Sequence, residues 1–133
     1  MDNQKQIEQL VLLCIDTARE MLKEYEVIIP FGIRGFNDSE DMKMNCPGDK
    51  IPESDYSKQI DNVVSELKAF VASENVFVTA FVMNLESDNE SGIGLQIETE
   101  QSSVLFVYPY RKEGDDWMID EPIQTNQLMT KVF

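Results

Sequence analysis

"VFVTAFVMNL", residues 76 to 85, decides the fold. Its apolar residues fall at both parities, so this is a central strand that must be covered on both faces. Downstream of it, "ESDNESG" reads as a turn, and "IGLQIETE", residues 93 to 100, then alternates, with Ile93, Leu95 and Ile97 on one face and Gln96 and Glu98 on the other. "SSVLFVYPY" follows as a further strand, "KEGDD" as a turn around Gly114, and "WMID" as a short return strand. Pro109 is expected to close the preceding ladder because it has no N–H to give. The tail from 121 to 133 carries Leu128, Met129, Val132 and Phe133, which can dock as a short helix or strand.

Upstream, Ile60, Val63, Val64, Leu67, Phe70 and Val71 make the stripe of a helix over 54–73, with Ser54 or Asp55 as its cap. "YEVIIPFGIRGF", residues 25 to 36, is β-branched and aromatic but broken by Pro30, which predicts an edge strand or a bulge. "NDSED" is a turn, "MKMNC" a poor return strand and "PGDKIPES" a loop. The first helix covers 1–25, capped by Asp2 or Asn3. Its apolar residues Ile7, Leu10, Val11, Cys14, Ala18, Met21, Leu22 and Tyr25 keep the three-four spacing of one face, which makes Cys14 a core residue.

The order is α-β-β-α-β-β-β. It predicts one α+β domain over 1–133, a largely antiparallel sheet of about five strands with two helices on one face. That element order resembles the profilin-like arrangement of roadblock and longin domains, which are dimerising, partner-binding folds. A second resemblance, carried by "PFGIRG", by Ile97-Glu98 and by Pro109-Tyr110 before a glycine turn, is to small uncharacterised bacterial α+β proteins. It implies a fold more than a function, because function resides in sites and not in layouts.

The 133 residues are enough to take roughly 65 to 70% of the extended chain's surface out of water, so a core forms without staples. There are 25 acidic against 11 basic residues, a net charge of -14. Such a surface repels phosphate backbones and anionic lipid headgroups and attracts basic proteins, which sets the expectation of a protein partner, with no nucleic acid and no membrane. Cys14 and Cys46 are too few for a disulfide framework, and "LVLLCI" is too short for a signal or a span, so a cytoplasmic location is expected.

Histidine is absent, which removes the commonest general base and metal ligand. Cys46 lies near acids that disfavour its thiolate. "GIRG" and "GIG" lack the spacing of a phosphate cradle, and the run Glu86, Asp88, Glu90 lacks the closing glutamate of a calcium loop. The acid pairs Asp115-Asp116, Asp120-Glu121 and Glu98/Glu100 are what so acidic a composition supplies by chance. No catalytic residue, metal or cofactor is therefore assigned. Met42, Met44, Met118 and Met129 suit an adaptable contact surface or irregular core gaps.

Two of the three arginines follow a Pro-aromatic pair, Arg34 in "PFGIRG" and Arg111 in "PYRKEGDDW". With Glu98, Tyr110 and Trp117 they form the candidate binding set, since Tyr, Trp and Arg make interface hot spots and a strand Glu pairs well with Arg. The functional expectation is a non-enzymatic acidic interaction domain that forms a homodimer. Alternatives are an immunity-type inhibitor of a basic toxin, and a small-ligand binder or enzyme using Arg34, Glu98 and Arg111.

Overall fold

The computed structural model describes residues 3–46, 56–87, 89–125 and 132–133. The elements are α1 (Asn3–Tyr25), β1 (Phe31–Phe36), β2 (Met42–Asn45), α2 (Tyr56–Ser73), β3 (Val76–Ser87), β4 (Glu90–Thr99), β5 (Ser103–Glu113), β6 (Asp116–Ile119) and β7 (Ile123–Thr125). The strands form one sheet in the order β2-β1-β3-β4-β5-β6, with β7 also pairing β5, and every pairing is antiparallel. The α+β class and antiparallel sheet agree with the sequence. The described strands number seven rather than about five, because the "WMID" strand and part of the tail both add to the outer edge of β5.

The two helices lie on opposite faces, not on one. Leu10, Cys14, Ala18, Met21 and Leu22 of α1 pack on Phe31 and Ile33 of β1, on Val78, Ala80 and Val82 of β3, and on Ile93, Leu95 and Ile97 of β4. Val63, Val64 and Leu67 of α2 pack instead on Phe81 and Met83, the opposite parity of β3, together with Leu105 and Val132. Successive residues of a strand point to opposite faces, so these two sets are the two sides of one sheet. The both-parity apolar pattern of β3 has its cause here: each face carries its own helix.

β1 is an interior strand, with β2 on one side and β3 on the other, so the expected edge strand is in fact β2. "MKMNC" pairs because the "NDSED" turn returns it along β1, with Arg34 opposite Lys43. Gly32 of β1 lets α2 approach closely: a Cβ there would lie 2.9 Å from a methyl of Leu67 and 2.8 Å from Asn45 Oδ1. The expected caps of α2, Ser54 and Asp55, lie outside the described residues, as do Asp2, Leu128 and Met129.

Pro109 does not end β5, which runs on to Glu113. The Asp120 N–H donates to the Pro109 carbonyl at 2.8 Å, which places that carbonyl on the outer side of β5. The main-chain groups of one strand residue point the same way, so the proline nitrogen faces outward too, where β5's neighbour changes from β7 to β6. No rung is needed there. Of the tail, β7 and Val132 are placed; Val132 is buried against α2 and its N–H donates to Glu98 Oε2 at 2.7 Å.

Candidate functional site

The five candidate residues fall at opposite ends of the sheet. Arg34, Thr79, Glu98 and Ser103 stand in one row across β1, β3, β4 and β5, whereas Tyr110 is level with Ser91, seven residues away along β4. At about 3.3 Å per residue that is roughly 23 Å. No single site contains them all.

The first group is structural. Arg34 is 6% exposed; its guanidinium carbon lies 3.6 Å from the Phe70 ring centroid, and its Nε donates to Glu74 Oε1 at 2.6 Å. Both partners belong to the C-terminal end of α2 and the residue just after it, where a cation also meets the helix's negative pole. Glu98 is 1% exposed and accepts from Gln96 Nε2 at 3.1 Å, Ser103 Oγ at 3.0 Å and the Val132 N–H. The expected pairing of Glu98 with Arg34 or Arg111 is not made. A nearer acid, Glu74, takes Arg34, and Arg111 is at the far end of the sheet.

The second group stands beside a cleft. Arg111 donates through Nη1 to both carboxylate oxygens of Asp120, at 2.9 and 2.8 Å, and through Nε to Glu113 at 2.9 Å. Lys112 pairs with Glu26 at 2.7 Å and lies 5.5 Å from the Trp117 ring centroid. The Tyr110 and Trp117 rings pack at 5.9 Å in a tilted arrangement. A groove of about 650 Å³ runs over this hairpin, lined by Tyr110, Arg111, Lys112 and Trp117 among others. Tyr110 also walls a neighbouring cleft of about 360 Å³, whose other lining includes Glu26, Ile28, Tyr56, Asn84 and Glu86.

That cleft is a split in the sheet. The ladder between β1 and β3 begins at Phe31 and Val82, and residues 26–29 upstream of Pro30 diverge from β3. The Tyr56 hydroxyl, from the first turn of α2, fills the missing rung. It accepts from the Asn84 N–H at 2.5 Å and donates to the Ile28 carbonyl at 3.3 Å. Tyr110 completes the network with a hydrogen bond from its hydroxyl to Asn84 Oδ1. Glu26 enters the cleft rim from the end of α1 in the left-handed region, at φ 59°.

The electrostatics of this end are negative. Lys112 holds the Glu26 carboxyl below its usual range, chiefly by hydrogen bonding, and Glu26 in turn raises Lys112. Asp120, with Glu113, raises Arg111. Both cations are thus already compensated within the chain, leaving Glu86, Glu90, Asp115 and Asp116 exposed around them. Burial pushes the Tyr56 phenol up to about 12 and raises Tyr110 as well, so both stay protonated near neutrality and serve as hydrogen-bonding groups. Burial also raises Cys14, which fits its place in the core.

The sequence did not point to Glu26, Tyr56 or Asn84. The available signal was Asn84 itself, a polar residue in an apolar run, opposite a strand interrupted at Pro30. Met44 and Met118 are exposed and Met42 packs against the α1-side core. No described helix is long and apolar enough to cross a membrane. In comparisons with known proteins, the chain matches no family profile, no curated protein and no solved structure.

Proposed function

We propose that this chain is a non-enzymatic interaction domain that receives a basic protein segment at the Tyr110 end of its sheet. The observation that carries the reading is the cleft walled by Tyr56 and Tyr110 with the exposed Glu86 at its rim, at an end whose cations are already paired. Aromatic walls supply contact area at low entropic cost, and an acidic rim steers a basic partner and speeds encounter. An immunity-type inhibitor of a basic toxin is one member of this class.

The test is a titration with a lysine- and arginine-rich decapeptide followed through Trp117 fluorescence. Glu86→Lys with Glu90→Lys is compared with Asp38→Lys with Asp41→Lys, which changes the net charge equally at the other end of the sheet. The first pair is expected to weaken binding about tenfold or more, the second several-fold less, since exposed charges beyond a Debye length are screened. Equal losses would show that only total charge matters and would sink the reading.

A self-associating form is favoured by a separate observation. Leu12 and Leu13 on the outer side of α1 are 64% and 39% exposed. Two chains of net charge -14 repel through their acidic ends, so a homodimer would join through this helix face. Light scattering coupled to size exclusion distinguishes the two forms. A dimer that Leu12→Glu with Leu13→Glu converts to monomer supports this interface, and a monomer at tens of micromolar rules it out.

A further inference from the structure

We infer that the basic segment is anchored by one large apolar side chain of about leucine size, seated on the α2 face of the sheet in a groove over Gly92. The inference rests on the interaction reading above and adds the chemistry of the segment's anchor.

Strand parity sets the face. Phe81 and Met83 of β3 and Leu105 of β5 belong to the core under α2. Leu85, Val107 and Pro109 continue those parities, and Ile123 shares their side as the cross-strand partner of Val107. Gly92 and Gly94 of β4 lie between, paired with Leu85 and Met83 on one side and with Pro109 and Val107 on the other. α2 itself packs chiefly on β1, β2 and β3, so this stretch lies beyond it. Leu85, Val107 and Pro109 are half-buried, and Ile123 is 62% exposed. The two glycines keep the floor low. A methyl of Val107 lies 2.8 Å from where a Cβ on Gly92 would stand, and one of Leu85 lies 2.8 Å from where a Cβ on Gly94 would stand. Both side chains therefore lean across β4, and with Pro109 and Ile123 they bound a groove of about 160 Å³.

Size and charge together select the occupant. A cavity of about 150 Å³ holds a benzene molecule, so a leucine-sized side chain fills this groove and an alanine does not. The charged groups in its lining are both acids, Glu86 and Glu90, and both are exposed. Arg111, on the same face two residues past Pro109, is paired with Glu113 and Asp120. An apolar side chain with lysine or arginine beside it gains from the area and from the acids, whereas one with acidic neighbours is repelled. The chain's own most exposed leucine, Leu12, has Glu8 and Asp16 one turn away on either side, which disfavours a second copy as the occupant. The hairpin groove links the two seats: it shares Tyr110 with the cleft, and Glu90, Ser91, Pro109 and Ile123 with the groove over Gly92. A segment held beside Tyr110 is thus led round the end of the sheet to the apolar seat.

The experiment titrates the full chain with three decapeptides, followed by amide-resolved NMR and by the anisotropy of a fluorescent label on the peptide. The first consists of lysine and arginine around one central leucine. The second has alanine in place of the leucine, and the third keeps the leucine but has glutamine in place of the basic residues. The leucine peptide is expected to bind about tenfold more tightly than the alanine peptide, the ratio for burying most of a leucine side chain, and to shift the amides of Gly92, Val107 and Ile123. The glutamine peptide is expected to bind at least about tenfold more weakly than the first. Ile123→Ala, at an exposed position on the sheet edge, should cut the leucine advantage to about threefold or less. Met118→Ala, exposed on the same face but outside the groove lining, should leave that advantage unchanged. Equal affinity of the leucine and alanine peptides, an advantage that Ile123→Ala does not reduce, or equal binding of the glutamine peptide would overturn the inference. If the leucine and alanine peptides bind equally and both depend on Glu86 and Glu90, the interaction reading stands without this anchor. If neither basic peptide binds, the reading falls and the inference with it.

Discussion

Replacing Glu98 by alanine tests whether the α2 face is held by a buried polar knot. The side chain is 1% exposed and accepts three hydrogen bonds, from Gln96, Ser103 and the Val132 main chain. Alanine removes the acceptor that these three donors share, two of them in bonds that are fully buried. Each hydrogen bond lost from a buried donor costs about 1 to 3 kcal/mol, so three of them set a floor of about 3 kcal/mol. The upper sum is not reached, because the Ser103 hydroxyl can turn and Val132 can leave the groove to find water. We therefore expect a loss of about 3 to 5 kcal/mol in urea unfolding. For a chain of this length that is roughly 10 to 20 °C in Tm, interpolating between smaller and larger domains. Hydrogen exchange gives the local readout: the Val132 amide should be protected in the parent chain and lose its protection in Glu98→Ala. Ser103→Ala, which removes one donor and leaves the acceptor satisfied by two others, should cost no more than about 1 kcal/mol. A Glu98→Ala loss below about 1 kcal/mol, or an unprotected Val132 amide in the parent, would refute the knot.

Arg34→Lys should be nearly as damaging as Arg34→Met, by about 1 to 2 kcal/mol in urea unfolding, because lysine cannot both lie flat on Phe70 and donate sideways to Glu74. Gly32→Ala should cost about 1 to 3 kcal/mol by the same measurement, since the added methyl meets Leu67 and Asn45 at under 3 Å. An alkaline titration followed by phenolate absorbance should show Tyr56 ionising last, near 12, and Tyr56→Phe should remove that step. The folded chain holds the Tyr56 proton more tightly than the unfolded chain, whose phenol titrates near 10. Between those values the unfolded state therefore binds fewer protons, and stability falls as pH rises through 10 to 12, with nothing lost below 10.

The sequence carried the sheet's centre clearly and its surroundings less so. Residues 76–85 are apolar at both parities, which already required cover on two faces, yet the stripes of the two helices say only that each has a buried side. Which face each helix takes depends on the connections, and those pass through β1 and β2, the least regular strands. β4 misleads in a different way. Its Ile93, Leu95, Ile97 alternation reads as a half-exposed strand, but Gln96 and Glu98 are also buried, because Gln96 donates to Glu98 and Ser103 and Val132 satisfy Glu98 in turn. The partner of Arg34 was missed for a related reason. Sign and strand position favoured Glu98, whereas Glu74 is brought closer by the packing of α2 on Gly32, a contact that no spacing in the sequence encodes.

Pro30 and Pro109 have the same task on opposite flanks of the β3–β4 pair. By register, the odd residues of β1 face β3, so the nitrogen of Pro30 faces the β2 side, one step beyond the last pairing of Gly32 with Asn45. The nitrogen of Pro109 faces the outer side of β5, in the gap between β7 and β6. Each proline therefore stands where a neighbouring strand has just ended and no N–H is missed, a setting in which a sheet tolerates it at little cost. Both lie towards the end of the sheet that carries Tyr110, within two rows of each other along β3 and β4. The aromatic that follows each proline shows the division of labour: Phe31 fills the α1-side core, while Tyr110 walls the cleft. The arginines divide likewise, Arg34 clamped to α2 and Arg111 neutralised within its hairpin. The repeated Pro-aromatic-Arg pattern thus marks a sheet opened on both flanks at one end, the end at which Tyr56 and Tyr110 wall the cleft proposed for a basic segment.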